Sequence, residues 1–410
     1  MSRASLIRGR RTRAGCLATA SALLMPLAAH AQTVANVDVS AGALVASNPH
    51  LVDGPDTGSA AATLTVHPSI SVTEGRTKAT LGGTLRLEEF FDRYGTDTSA
   101  QVGASIEHSV NERTTLSADV GYSSSDSAAR HLYGGADLSD LEPGEFPDSP
   151  VVDPTLGNIA GRTSRLNVNF GLRQLLSSNS ALTLASGLGL TRVKSGNGAD
   201  YRDTSAFASY SHRLNERTSL LVSLDVGYAD YLGRELGDGL FTTALVGVDH
   251  QFTESMYGTV QVGLSYSEVD VLLGAQESFT TWAASLQLCD MLARGTICVS
   301  GSRTAEPTSL GGLTMVNSVG ASYSRAIGAD ANISFGASYS KTGTPDSAPL
   351  LLSQRESEIA HISGTYSHRI AERLSAFLTP SFTSNEREFT GKEENYQVMA
   401  GITYRFGRTP

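Results

Sequence analysis

From Val34 to Phe406 the chain repeats one unit, a stretch of ten to fourteen residues in which apolar and polar side chains alternate, followed by a turn. Alternation with period two puts successive side chains on opposite faces of an extended strand, so this pattern selects β-structure and excludes amphipathic helices. The clearest sets are Leu116, Ala118, Val120 and Tyr122 against Ser117, Asp119, Gly121 and Ser123, and Leu220, Val222, Leu224, Val226 and Tyr228 against Ser223, Asp225 and Gly227. One face is apolar and the other is Gly, Ser, Thr, Asn and Gln. Strands of soluble sheets average about five or six residues, whereas tilted strands that cross a bilayer need ~9–11. These are of the longer kind.

The connections alternate in length. Short ones, such as Glu74-Gly75-Arg76, Asn215-Glu216-Arg217 and Ala371-Glu372-Arg373, are interleaved with longer polar ones such as Ser47 to Ser59, Ser125 to Arg162, Ala305 to Gly311 and Thr342 to Gln354. Short turns on one side and long loops on the other are the arrangement of an outer-membrane barrel. The segments number about 18 (roughly 16–18), an even count that leaves both ends in the periplasm. The expected fold class is therefore all-β, a single transmembrane antiparallel up-and-down barrel. One turn form recurs at the predicted periplasmic end: Glu107 to Thr114, Ser211 to Thr218 and Ser367 to Leu374 share it, with Asp249 to Ser255 looser.

Residues 1–31 read as a secretory signal. Five arginines between Arg3 and Arg13 precede an apolar run from Cys16 to Leu27, and Ala29-His30-Ala31 is a small-x-small cleavage site. Cys16 stands at the start of the apolar run, where a lipidated cysteine would follow it. Residues 32–410 form the barrel, including a long acidic segment, 125–162. Loss of the signal moves the formal charge from -10 to -15, which argues against nucleic acid as a partner. Beyond the signal no apolar run approaches the ~20 residues of a membrane helix, so any span must be built of strands.

Phe406, with Tyr404, Ile402 and Ala400 on its face, Ser47-Asn48-Pro49 after the first strand, and the His-Arg-x-x-Glu-Arg turns together resemble the β-barrel porin type 2 families of proteobacteria. In outer-membrane barrels a terminal aromatic is the signal read by the barrel assembly machinery, and Phe406 matches it except that Gly407 to Pro410 follow. The resemblance implies an outer-membrane location, lipid and the assembly machinery as partners, and an association with polysaccharide-export components. The alginate exporter is a resembling barrel of similar size.

Strand parity sets the expected interior. Asp38, Arg86, Glu88, Glu107, Asp119, Arg173, Asp225, Asp249 and Arg405 fall on the polar face, and charges facing lipid at mid-depth would cost a few kcal/mol each, so a watery lumen is their place. Tyrosines 122, 228, 266, 323, 339, 366 and 404 recur near strand ends as an interfacial girdle. The segment 125–162 carries Asp126, Asp137, Asp140, Glu142, Glu145, Asp148 and Asp153, which reads either as an acidic constriction that disfavours anions or as a solvated external loop. Cys289 and Cys298 straddle a turn symmetrically on the lumen parity, so they read as a hairpin disulfide, with free thiols as the alternative.

Catalytic and cofactor chemistry is not indicated. His108, His212, His250 and His368 occupy equivalent turn-proximal positions, and strands two apart are about 10 Å from each other, too far to share a metal. There is no Gly-rich phosphate loop, paired-Cys metal motif or HExxH. The expectation is a porin-like channel, not an enzyme and without cofactors, passing hydrophilic solutes or a polysaccharide strand. The alternatives are a non-conducting structural or adhesion barrel with an occluded lumen, and a barrel hydrolase.

Overall fold

The computed structural model describes residues 32–126, 161–194, 199–232, 238–271, 275–307, 312–343, 356–387 and 391–407. They contain eighteen strands: β1 (Gln32–Ala46), β2 (Ser59–Glu74), β3 (Thr77–Phe90), β4 (Thr96–Asn111), β5 (Thr114–Ser125), β6 (Thr163–Leu175), β7 (Ser180–Val193), β8 (Tyr201–Asn215) and β9 (Thr218–Tyr231) in the first half. The second half supplies β10 (Gly239–Gln251), β11 (Met256–Val271), β12 (Ala275–Leu292), β13 (Gly295–Pro307), β14 (Leu313–Ile327), β15 (Ala331–Gly343), β16 (Ser357–Ala371), β17 (Leu374–Arg387) and β18 (Gly391–Gly407). Every strand pairs antiparallel with its sequence neighbours, and β1 also pairs with β18 along eleven residues from Asn36↔Gly407 to Ala46↔Gln397. The sheet is a closed barrel, so no strand is left as an edge.

Closure is reinforced at the seam between the first and last strands. Arg405 donates to Asp38 (Nη2 to Oδ2, 2.6 Å), and one rung further the hydroxyls of Ser40 and Thr403 lie 2.8 Å apart. Both pairs face the interior. Strands of 12 to 18 residues exceed what a bilayer requires. In Ala305 to Gly311, expected to be an external loop, the first three residues are strand, because β13 continues to Pro307, and β14 begins at Leu313. Periplasmic connections are tight, and Gly75 and Gly328 adopt positive φ in two of them, a conformation that a Cβ would disfavour.

The inversion of the usual globular pattern identifies the solvent. Large apolar side chains stand outward and exposed all round the barrel, among them Leu85, Val102, Phe170, Leu188, Val262, Leu264, Val319 and Ile402. Tyr122, Tyr228, Tyr266, Tyr339 and Tyr396 share this outer face near the extracellular ends, and Tyr210, Tyr323, Tyr366 and Tyr404 near the periplasmic ends, so the aromatic residues form two belts. His108, His212 and His250 lie outward at the lower belt. Each shares a hydrogen bond through Nδ1 with the hydroxyl that opens the preceding strand, Thr77, Ser180 and Thr218 respectively, at 2.8–3.0 Å.

Two prolines sit inside strands, where the missing N–H interrupts one ladder only. Pairing of β2 with β3 lapses around His67 and Pro68 while β2 stays continuous with β1. Pairing of β16 with β17 lapses around Thr365 and Pro380 while β17 stays continuous with β18. Side chains on the inner face bridge both lapses, His67 Nδ1 with the Thr84 hydroxyl (2.8 Å) and Thr365 with Thr379 (3.1 Å). Cys289 and Cys298 face each other across the β12–β13 hairpin with Cα atoms 4.2 Å apart and are joined by a disulfide on the inner face.

A side chain facing lipid and its neighbour facing the lumen should respond oppositely to charge. Val262→Arg, on the exposed outer face, is expected to cost about 2–4 kcal/mol in equilibrium unfolding from lipid vesicles. Gln261→Arg, one residue away on the inner face, is expected to cost less than about 1 kcal/mol.

Candidate functional site

Eighteen strands at ~4.8 Å spacing and a tilt of ~40° make a ring roughly 35 Å across between backbones, or roughly 25 Å between inward side chains. No set of inward Gly, Ser and Thr can fill such a space, so the lumen wall is a surface and not a core. Strand register puts Asp38, Arg86, Glu88, Glu107, Asp119, Arg173, Asp225, Asp249 and Arg405 on this inner wall, opposite in parity to the exposed apolar set. Many of them are engaged locally: Arg86 with Glu88 (2.6 Å), Asn169 with Asp119 (2.7 Å), and the Thr259 hydroxyl with Asp249 (3.0 Å). Arg165, also inward, reaches Asn167 (2.8 Å), the Tyr201 hydroxyl (3.4 Å) and Asp203 (3.7 Å).

Two elements enter the lumen at its extracellular mouth, from connections about a third of the ring apart. On one side the connection after β1 folds inward against β2, β3, β4 and β18. Leu51 is 3% exposed although it lies in a loop, and Leu44, Ala61 and Phe90 form a packed cluster with Tyr94 and Met399 beside it. His50 stacks on Tyr94 with ring centroids 4.3 Å apart and sets Nε2 3.3 Å from Asp97 Oδ2. Asn48 fastens the loop to the wall, its backbone N–H donating to Asn395 Oδ1 (3.0 Å).

On the other side the extracellular arms of β13 and β14 leave the wall. β12 and β13 pair for nine residues, from Leu292↔Gly295 up to Ala284↔Arg303, and no further. β13 and β14 nevertheless stay paired up to Pro307↔Leu313, and β12 stays paired with β11 up to Ala275↔Val271. The freed hairpin leans inward across β12 and β11 and packs on their inner faces. Ala305, Leu313 and Met315 form one buried cluster with Ala199, Tyr201, Ala229, Tyr231, Val269 and Phe279, against which Phe241 packs. The Tyr231 hydroxyl donates to the Gly312 carbonyl (2.9 Å). Gly239 is the seat of the hairpin on β10, because a Cβ there would lie 2.9 Å from Leu313 Cδ1 and 2.8 Å from the Glu268 carbonyl oxygen.

Among the acids of the expected constriction, Asp137, Asp140, Glu142, Glu145, Asp148 and Asp153 lie outside the described residues. Asp126 is described, and it stands on the outer side of the rim in continuation of Tyr122 and Ser124. Arg162 Nε lies 2.7 Å from Asp126 Oδ1, and the Thr98 hydroxyl donates to Asp126 Oδ2 (2.6 Å). Its carboxylate is thus engaged outside the lumen, a correction to its place in a constriction. Within the described residues the mouth is narrowed by the inward hairpin and by the loop after β1. The sequence signal for these was apolar residues on the polar parity near extracellular strand ends, as in Phe90, Tyr201, Tyr231, Val269 and Phe279. Phe406 lies outward at the periplasmic end of β18, edge-on to Tyr404 at 4.6 Å. No group of three or more His, Cys, Asp or Glu that could hold a metal occurs among the described residues.

A closed eighteen-strand barrel with an apolar exterior, two aromatic belts and a polar wide interior is a transmembrane barrel of the Gram-negative outer membrane. No family model and no curated protein sequence matches the chain. Among solved structures it is similar to the FrpB iron transporter of Neisseria meningitidis, with a TM-score of 0.46 and 9% identity over 91% of this chain and 81% of that one. It is also similar to OpdL of Pseudomonas aeruginosa, with a TM-score of 0.45 and 9% identity over 92% and 99%. OccK2 of the same organism, in complex with glucuronate, gives 0.44 and 9% over 92% and 99%. Likenesses of this size carry no inference about function.

The rim pair has a definite titration. Burial by itself would raise the Asp126 carboxyl, but the Thr98 hydroxyl, the Arg162 guanidinium and the Thr98 backbone N–H hold it below the ordinary carboxylate range. A carboxyl depressed by folding stabilises the native state above its unfolded value of about 3.9, and this contribution disappears as pH falls through the lower folded value. Carboxylate carbon shifts measured against pH should show Asp126 protonating below the exposed acids, and Arg162→Ala should move it back up.

Proposed function

We propose that the protein is a passive outer-membrane channel for small hydrophilic solutes. The observation that carries this reading is the size of the ring relative to its lining: roughly 25 Å of lumen is faced by small polar residues and interspersed charges that need water. The hairpin arms of β13 and β14 and the loop after β1 act as the sieve at the mouth. The acidic segment 125–162 adds negative potential on the external side, which favours cations over anions in a narrowed aqueous passage. Passage of a polysaccharide strand is a narrower version that rests on the family resemblance of the sequence, and Phe406 is the residue we assign to recognition by the assembly machinery on the same ground.

A second reading, a barrel sealed at its mouth, is favoured by the depth to which both inward elements are packed. Planar-bilayer recording of the purified protein decides between them. Discrete conductance steps are expected. Leu313→Ser combined with Met315→Ser, which unseats the hairpin without touching the barrel ladders, should raise the step size on the order of twofold. A protein that gives no steps, before or after those substitutions, is not a channel. Neutralising the acids from Asp137 to Asp153 should reduce the cation preference read from reversal potentials, and an unchanged preference removes that segment from the mechanism.

A further inference from the structure

The inward lean of the β13–β14 arms has a second consequence on the outside of the wall. Above Ala284↔Arg303 the edge of β12 that would meet β13, residues 275–283, has no paired strand among the described residues. The wall is therefore split laterally. Nine paired residues at about 2.5 Å of height each place the base of the split roughly 20 Å above the periplasmic turn, on the rung that continues across β11 to the exposed apolar Val262. Trp282, on the outer face, lies two residues from Thr280, the register partner of the belt residue Tyr266. The split thus starts within the upper part of the apolar band and runs up past the belt to the outer-leaflet headgroups.

Arg303 occupies its base. The guanidinium lies over the Trp282 ring, 4.6 Å from its centroid, while Nε donates to the Trp282 carbonyl (3.3 Å) and Nη2 to the Thr281 hydroxyl (3.3 Å). Thr281 is an inner-face residue and Trp282 an outer-face one, so a group touching both sits within the thickness of the wall. Nη1 donates to Asn317 Oδ1 (2.6 Å). All of these partners are neutral, and no described carboxylate forms an ion pair with Arg303. Trp282 itself is 59% exposed. A cation with no counter-charge among the described residues, stacked on an exposed indole just below the belt, matches a molecule with an anionic head and an alkyl tail lying along the barrel wall.

We infer that the split between β12 and β13 is a binding site for an anionic amphiphile, with Arg303 holding the head and Trp282 packing against the first part of the chain. The head chemistry is shared by an outer-leaflet lipid phosphate and by a fatty carboxylate reaching the wall from the lumen. The site stands on the wall geometry and does not require that the lumen conduct.

Trp282 is the single tryptophan of the chain, so its emission reports on this position without background. The purified protein in dodecyl maltoside would be titrated with dodecyl phosphate and with dodecanoate. A saturable shift in emission is expected with at least one of the two. A response to the phosphate alone identifies the lipid-type head, and a response to dodecanoate identifies the carboxylate type. Arg303→Gln should raise the half-saturating concentration by about tenfold or more, whereas Arg303→Lys, which keeps the charge, should retain saturable binding. Unheated gel migration verifies that each variant remains a folded barrel. The inference is overturned if dodecanol produces the same saturable shift, if inorganic phosphate alone reproduces it, or if folded Arg303→Gln responds like the native protein.

Discussion

The requirement that every backbone N–H and C=O be paired inside hydrocarbon governs this molecule. A chain of alternating strands meets it in one way, by pairing the first strand with the last. Here β1 meets β18 in unbroken register, and the inward Asp38–Arg405 and Ser40–Thr403 contacts stand on that seam. Once the ring is closed, the outward positions must satisfy lipid and the inward ones must satisfy water. The apolar exterior, the two aromatic belts and the charged interior are consequences of that division.

The places where the ladder fails show how strictly the rule is applied. At Pro68 and Pro380 only one neighbour is lost, and a pair of polar side chains on the watery face spans each gap. Between β12 and β13 the failure is longer, running from the upper part of the apolar band to the mouth. Arg303 closes the lowest part by donating to the Trp282 carbonyl and to neighbouring side chains. Lost strand pairing is offset by burial of the apolar cluster that the hairpin forms on the inner wall.

That exchange also shapes the mouth. A wide barrel offers no core of its own, and the well-buried apolar clusters among the described residues are the two formed where a loop or hairpin folds back inside. Aromatic residues on the inner parity, such as Phe90, Tyr201 and Phe279, supply the surface for those elements. Gly239 leaves room for Leu313. A passage wide in its middle and narrowed at its entrance results from packing of ordinary kind displaced to the rim.

By itself the sequence determined the fold class, the strand number to within two, the outward and inward faces and the facing of Cys289 and Cys298. All of these follow from a period-two pattern and the lengths of the turns between strands, and both are local properties. The departures from register were not legible, because they are set by contacts between residues far apart in the chain. Nothing near Ala305 says that its hairpin will abandon β12 for a seat on β10, and nothing near Asp126 says that Arg162 will hold it on the outer side of the rim. The tertiary structure decided the shape of the mouth and the lateral split, since the choice between pairing with a neighbouring strand and packing across the interior rests on a free-energy difference that only the closed ring creates.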